Sequence, residues 1–228
     1  MADPFAVKDC TLISIATGEE AQNLRELSDR VKSIHPGCLY YHFWGSMLRS
    51  SFDEPEYQND FAAWCWRSLH DSQLAERLAI IDPCHHKDIE DLRREMVDVI
   101  DERLAESEFV PWACSGQRFK FIRSQIVVFD TGIRITSITE MEEWIAKMSL
   151  GSIFYHFIDA RRRTELGRSD FVEWLHHARG EKVEELIGRI NCIDPYFTTL
   201  SALRDELGAA FKSGPVERRA GSVERRAS

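Results

Sequence analysis

A thirteen-residue stretch of this chain recurs 114 positions later with five residues unchanged, and the recurrence restricts its possible folds more than any other feature. Gly37 to Arg49 and Gly151 to Arg163 share the leading Gly, a central Tyr-His-Phe (Tyr41-His42-Phe43 and Tyr155-His156-Phe157) and the final Arg. Further matches keep the same order. Thr17-Gly18 answers Thr131-Gly132, Asn59 to Trp64 answers Ser169 to Trp174, Ile81-Asp82-Pro83 answers Ile193-Asp194-Pro195, and Leu92 to Met96 answers Leu203 to Leu207. The offset drifts only between 110 and 114. Ordered identities at a nearly constant spacing are the signature of an internal duplication.

Each copy reads as the same series of elements. Residues 5–16 carry Phe5, Val7, Leu12, Ile13 and Ile15 in strand-like pattern up to a turn at Thr17-Gly18. Asn23 with Glu26 forms a capping-box signature for a helix that Pro36-Gly37 ends, and the Tyr-His-Phe helix follows at once. A loop around Phe52 to Pro55 leads to a helix capped at Asn59, another over 72–81, and a long amphipathic one from Ile89 to about residue 106. In the second copy Phe119 to Phe129 is the clearest strand. Asp130-Thr131-Gly132 reads as a hairpin turn, Ile133 to Thr136 as the return strand, and Ser137 with Glu140 as the second capping box. The expected fold is α+β and mostly helical: two tandem homologous units, each a short strand pair followed by about five helices, arranged about a pseudo-twofold axis. The units are 5–106 and 119–212, with 107–118 as connection. Residues 213–228 repeat Val-Glu-Arg-Arg-Ala and carry too few apolar residues to fold, so a disordered tail is expected there.

Charge excludes some partners. A formal net charge of −9 opposes attraction to nucleic acid or anionic lipid. No run approaches the roughly 20 apolar residues of a spanning helix, and the six cysteines contain no Cys-x-x-Cys pair. A cytoplasmic protein is expected, with a protein or a small anionic metabolite as partner.

The chemistry concentrates in the second copy. On an α-helix His156, Asp159 and Arg163 fall at i, i+3 and i+7, within one narrow arc, and Asp170 stands near the start of the next helix. A carboxylate beside an imidazole fixes its tautomer, and an Arg presents a planar fork to phosphate or carboxylate. With Arg161 and Arg162, these residues form a candidate anion-binding or acid–base pocket. They equally suit a repeat interface whose polar groups satisfy one another. The first copy keeps His42, Arg49 and Asp60, but has Gly45 in place of Asp159 and Met47-Leu48 in place of Arg161-Arg162. What both copies share is expected to be architectural, and specific function belongs to what the second has alone. Cys84-His85-His86 has poor spacing for zinc, and Asp130-Thr131-Gly132 lacks a second copy of its Asp, so no metal, cofactor or catalytic residue is expected.

Tyr-His-Phe with Asp159-Ala160-Arg161-Arg162-Arg163, then Asp170-Phe171 with Trp174-Leu175, then Ile193 to Phe197 and Leu203 to Leu207, resembles an uncharacterised family of duplicated bacterial and archaeal proteins. The resemblance spans about residues 5–212 and brings no catalytic residue. It implies a role accessory to carbohydrate metabolism. A non-catalytic binding or assembly module is the leading expectation. The alternative is a small enzyme or sensor for a sugar phosphate or nucleotide, acting through the second copy's His, Asp and Arg residues.

Overall fold

The computed structural model describes residues 3–48, 57–106, 111–177 and 181–212. Two 17-residue strands, β1 (Phe5–Ala21) and β2 (Phe119–Ile135), pair antiparallel as one two-stranded ribbon. The expectation of a strand pair in each tandem unit is therefore wrong. Each half of the chain supplies a single strand, and the two strands complete each other.

The error lies in the Thr-Gly pairs, which are bulges inside the strands. Register slips between Ala6 and Lys8, where Asp130 to Arg134 stand opposite, and again between Ala16 and Glu20, opposite Ile122 and Lys120. Each slip sets three residues against one. Gly132 and Gly18 take φ of +79° and +80°, which L side chains rarely adopt, and so absorb the extra length. The neighbouring threonine locks each bulge. Thr17 Oγ1 donates to Phe121 O across the ribbon at 2.6 Å and accepts from Glu19 N at 3.1 Å, while Thr131 Oγ1 donates to Val7 O at 2.6 Å and accepts from Ile133 N at 3.3 Å. Ile133 to Ile135, expected as a return strand, simply continue β2.

Helices pack around the ribbon ends. α1 (Leu24–Ser33) starts where Asn23 Oδ1 accepts from Glu26 N at 2.9 Å, and α6 (Ile138–Ile145) starts where Ser137 Oγ accepts from Glu140 N. Each glutamate reaches back to the residue before the cap, Gln22 N at 3.0 Å and Thr136 N at 2.8 Å. α2 (Pro36–Leu48) is buried on every side from Cys38 to Gly45, as an apolar helix at the centre of a domain must be. Its counterpart is interrupted: α7 (Leu150–Ile153) passes into a π-helical stretch, Phe154–Asp159, before α8 (Ala160–Arg163). α3 (Asp60–Trp64) runs into a π-helical turn at Cys65–Leu69, followed by α4 (Ser72–Ala79) and α5 (Ile89–Glu106). The second half ends with α9 (Asp170–His176), α10 (Glu181–Asn191) and α11 (Leu200–Lys212).

The strands exchange partners between the halves. Phe5 of β1 stacks on Phe171 of α9 at 5.2 Å, and Phe119 of β2 stacks on Phe61 of α3 at 4.9 Å. Trp174 Nε1 donates to Asp3 O at 3.2 Å and Trp64 Nε1 to Gln117 O at 2.6 Å. The buried residues of both halves accordingly form one continuous core. No helix among the described residues is long and apolar enough to cross a membrane.

Candidate functional site

His156 is 3% exposed within the π-helical stretch. Its Nε2 accepts from the Lys8 backbone N–H of β1 at 2.9 Å, which places the ring proton on Nδ1, and Nδ1 donates to Asp170 Oδ2 at 2.7 Å. His42 does the same in the other direction, with Ile122 N on Nε2 at 3.0 Å and Asp60 Oδ2 on Nδ1 at 2.8 Å. In each histidine Nε2 holds the strand from the other half, and Nδ1 holds the aspartate that begins the next helix of its own half.

Asp159 does not meet His156. The π-helical stretch departs from the 100° step on which the expected arc depends, and Asp159, 1% exposed, faces Tyr40 of α2 instead. Its carboxylate accepts from Tyr40 Oη at 2.9 Å, Arg162 Nε at 2.5 Å and Arg163 Nε at 2.9 Å. Arg163 then donates to Asp170 Oδ2 at 3.0 Å and to the Tyr155 carbonyl at 2.9 Å, with its guanidinium 4.0 Å above the Tyr155 ring. So Arg163 joins the two carboxylates, and through Asp170 it reaches His156. Burial, reinforced by the Asp159 charge, pushes the Tyr40 hydroxyl well above its usual range. For Arg162 burial is the largest single effect and opposes the charge, but Asp159 and Tyr40 together outweigh it, and the guanidinium pKa is raised. Arg49 lies outside the described residues, as do the loop around Phe52 to Pro55 and the 213–228 tail.

A cavity of about 750 Å³ opens beside this knot, away from both histidines. Tyr40 and Trp44 of α2 form one wall, Arg161 and Arg162 of α8 another, and Cys84 and Lys87 a third. Two donors of its lining residues lack an acceptor. Arg161 Nε and Trp44 Nε1 are buried without a hydrogen-bond partner among the described residues. Trp44 Nε1 has only the Cys84 sulfur for company, a weak acceptor outside hydrogen-bond geometry. Burial, helped by Asp82 and opposed by Arg161, pushes the Cys84 thiol up to about 12, so it stays protonated and gives the cavity no negative charge near neutral pH. The neighbouring histidines diverge: His85 is exposed beside Asp82, and His86 Nε2 lies 3.0 Å from Glu95.

The candidate residues thus separate into two groups. His156 and His42 tie each half to the other's strand, held in place by Asp170, Arg163 and Asp60, while Arg161 and Arg162 line a cavity and Asp159 joins Tyr40 and braces Arg162 from behind. Tyr40, Trp44 and Lys87 escaped the sequence reading. A signal for the first two was present, since Tyr40 stands where the second copy has Phe154, and Trp44 where it has Ile158. Comparing the copies singled out what the second has alone. The same comparison in reverse marks Tyr40 and Trp44.

The fold has a counterpart in the solved structure of OrfY from Thermoproteus tenax, with 26% sequence identity, a TM-score of 0.78, and coverage of 92% of this chain and 96% of that one. No curated protein matches the chain significantly. The model of a family of unknown function, DUF5752, matches residues 2–212, nearly the whole chain, and the chain belongs to that family.

Proposed function

We propose that the protein is a non-catalytic binding module that holds a small anionic metabolite in the cavity between its halves. The observation that carries this reading is the cavity itself, about 750 Å³, with Arg161, Arg162 and Lys87 on its lining beside Asp88 and Glu165. That volume lies in the range of small-molecule sites, and cationic groups on a partly apolar wall suit an anionic ligand. Binding without turnover is the form supported by His42 and His156, whose Nε2 atoms hold the ribbon and which stand off a lining that carries His35 and His86 instead. A place accessory to carbohydrate metabolism belongs to the same proposal, with sugar phosphates and nucleotides as the first ligands to try. We also assign the cytoplasm, whose reducing conditions suit the free thiols of Cys10, Cys38, Cys65, Cys84, Cys114 and Cys192.

Descent from a duplicated unit belongs to the same reading. It is supported by the paired bonds of His42 and His156 and of Thr17 and Thr131, each pair separated by 114 positions. A thermal-shift screen of anionic metabolites beside their neutral counterparts tests the function. A true ligand at a hundred times its Kd adds about 2.7 kcal/mol of stability and raises Tm accordingly. At least one anion is expected to do so, with no product formed on prolonged incubation. A screen in which anions and neutral analogues behave alike overturns the binding reading, and turnover of the ligand overturns its non-catalytic form.

A further inference from the structure

We infer that the outer face of the β1–β2 ribbon is where two copies of this chain meet, face to face, as a weak dimer. This surface is separate from the cavity, and the inference stands independently of any ligand. Between its two bulges the ribbon keeps one register, with Asp9 opposite Phe129, Thr11 opposite Val127, Ile13 opposite Gln125 and Ile15 opposite Arg123. Directly opposed residues share a face and successive residues alternate, so these side chains all stand on one side. The other side is turned inward: Cys10 is buried there, and Leu12 and Ile126 pack against the core. On the outer side Ile13, Ile15, Val127 and Phe129 are 39–50% exposed, so no element among the described residues covers them.

A sheet with one wet face ordinarily turns polar residues to the water. This one turns four large apolar ones, which marks the face for burial against a partner. They form a single stripe, Phe129 and Val127 on β2 leading to Ile13 and Ile15 on β1, with the polar residues at the two remaining corners. Ile13 and Val127 are 114 positions apart, as are Ile15 and Phe129, so each half supplies the same two apolar places and the stripe has a twofold pattern about the Leu12–Ile126 pair.

The stripe fits its own copy. With strands about 4.8 Å apart and about 3.4 Å per residue, it is about 20 Å long and leans about 13° from the strand direction. Laying two such stripes on each other turns the ribbons by about twice that angle, close to the roughly 30° at which twisted sheets pack face to face. When the stripes run in opposite directions, Phe129 of each protomer meets the partner's Ile15, and Val127 meets the partner's Ile13. Both ends then hold one Phe and one Ile, and the gap between the ribbons is even. Charge does not oppose the contact: the chain carries −9, but Asp9 and Arg123 cancel on this face. A patch without net charge gives no steering to an acidic or basic partner, whereas a second copy needs none. The footprint, two strands wide and about 20 Å long, is on the order of 200–300 Å² per copy, well short of the roughly 800 Å² per partner of a stable complex. Association is therefore weak, with an expected Kd of about 0.1 mM.

Sedimentation velocity of the full chain from about 10 μM to about 1 mM tests the inference, and the mean mass is expected to climb toward twice the monomer's across that range. Ile15→Lys and Phe129→Glu change solvent-exposed positions, and circular dichroism checks that each variant stays folded. Each alone is expected to weaken association at least tenfold, because it buries an unpaired charge at the contact. Combined in one chain they are expected to regain at least tenfold over either alone, since opposed stripes bring the new ammonium of one protomer against the new carboxylate of its partner. Ile80→Thr, which removes an apolar side chain 75% exposed at the end of α4, is the control and is expected to change nothing. A chain that stays monomeric up to about 1 mM overturns the inference. So does a dimer that Ile80→Thr weakens while Ile15→Lys and Phe129→Glu leave it intact. A dimer lost in both single variants and not regained in the combined one overturns the opposed alignment of the stripes.

Discussion

At the scale of single residues, the protein keeps several groups protonated by burying them. Burial raises the Cys10 thiol from 9.0 to about 12, with Asp159 and Asp9 adding to it, and the Cys84 thiol to about 12 as well. The Tyr40 hydroxyl moves in the same direction. A pKa raised by folding means that the folded chain holds the proton more tightly, so the stabilisation is complete below the unfolded pKa and is lost as pH climbs through the folded one. Denaturant stability is thus expected to fall as pH rises from about 9 to about 12, with Cys10→Ala and Cys84→Ala showing a shallower alkaline decline than wild type. An unchanged slope in both variants would show that these thiols do not govern the loss. Several residue-level features were legible in advance, because capping boxes and helical spacing are local: Asn23 with Glu26 and Ser137 with Glu140 lie three positions apart and cap as expected. The environment of Asp159 was not. Its partner Tyr40 is 119 positions away, and the π-helical stretch that re-aims it leaves no mark in apolar periodicity.

At the scale of elements, the close approach of helix to strand is what fixes the ribbon in place. A methyl group on Gly151 of α7 would run into the Asp9 carboxylate and the Cys10 carbonyl of β1. Gly37 of α2 sits at the matching place against β2 with more room, where a Cβ would lie 3.2 Å from Ser124 O. Gly151→Ala is therefore expected to destabilise the protein by about 2–4 kcal/mol and Gly37→Ala by about 1 kcal/mol, measured by urea unfolding. Equal costs would mean that the strand relaxes away from the helix at both sites. The leading glycine of the repeated stretch was visible in the sequence, but its purpose was not. A glycine kept in two copies reads equally well as a helix start or as a contact, and only the position of the opposing strand decides. The Thr-Gly pairs misled for a related reason. Positive φ at glycine serves a hairpin turn and a bulge alike, and the choice depends on a partner strand more than a hundred residues distant.

At the scale of the whole molecule, the halves depend on each other. The second half's helices receive Phe5 and the Lys8 N–H from the first, and the first half's receive Phe119 and the Ile122 N–H from the second. A fragment of residues 119–212 then lacks the strand that fills its core and occupies His156. It is expected to show little fixed structure by circular dichroism and NMR, and to gain it on mixing with residues 1–118. A fragment that folds unaided would show that the exchange of strands is dispensable. The order of the helices could be read from periodicity along the chain, though their π-helical stretches could not. The exchange could not, because a strand sequence states which of its faces is apolar without naming the strand it joins.

The pairing of Phe5 with Ile135 also sets a clock on the newborn chain. The first strand leaves the ribosome with its hydrogen-bonding edge and its Phe5 and Val7 side chains ready, yet its partner is not complete until residue 135 has been made. At about 5–20 residues per second the wait is on the order of 6–26 s, long compared with hairpin formation in about 1–10 μs. Through that interval the amino-terminal strand is an unmatched edge, open to any other β-rich nascent chain, and a helper that shields the first twenty residues during synthesis would raise the yield of native protein.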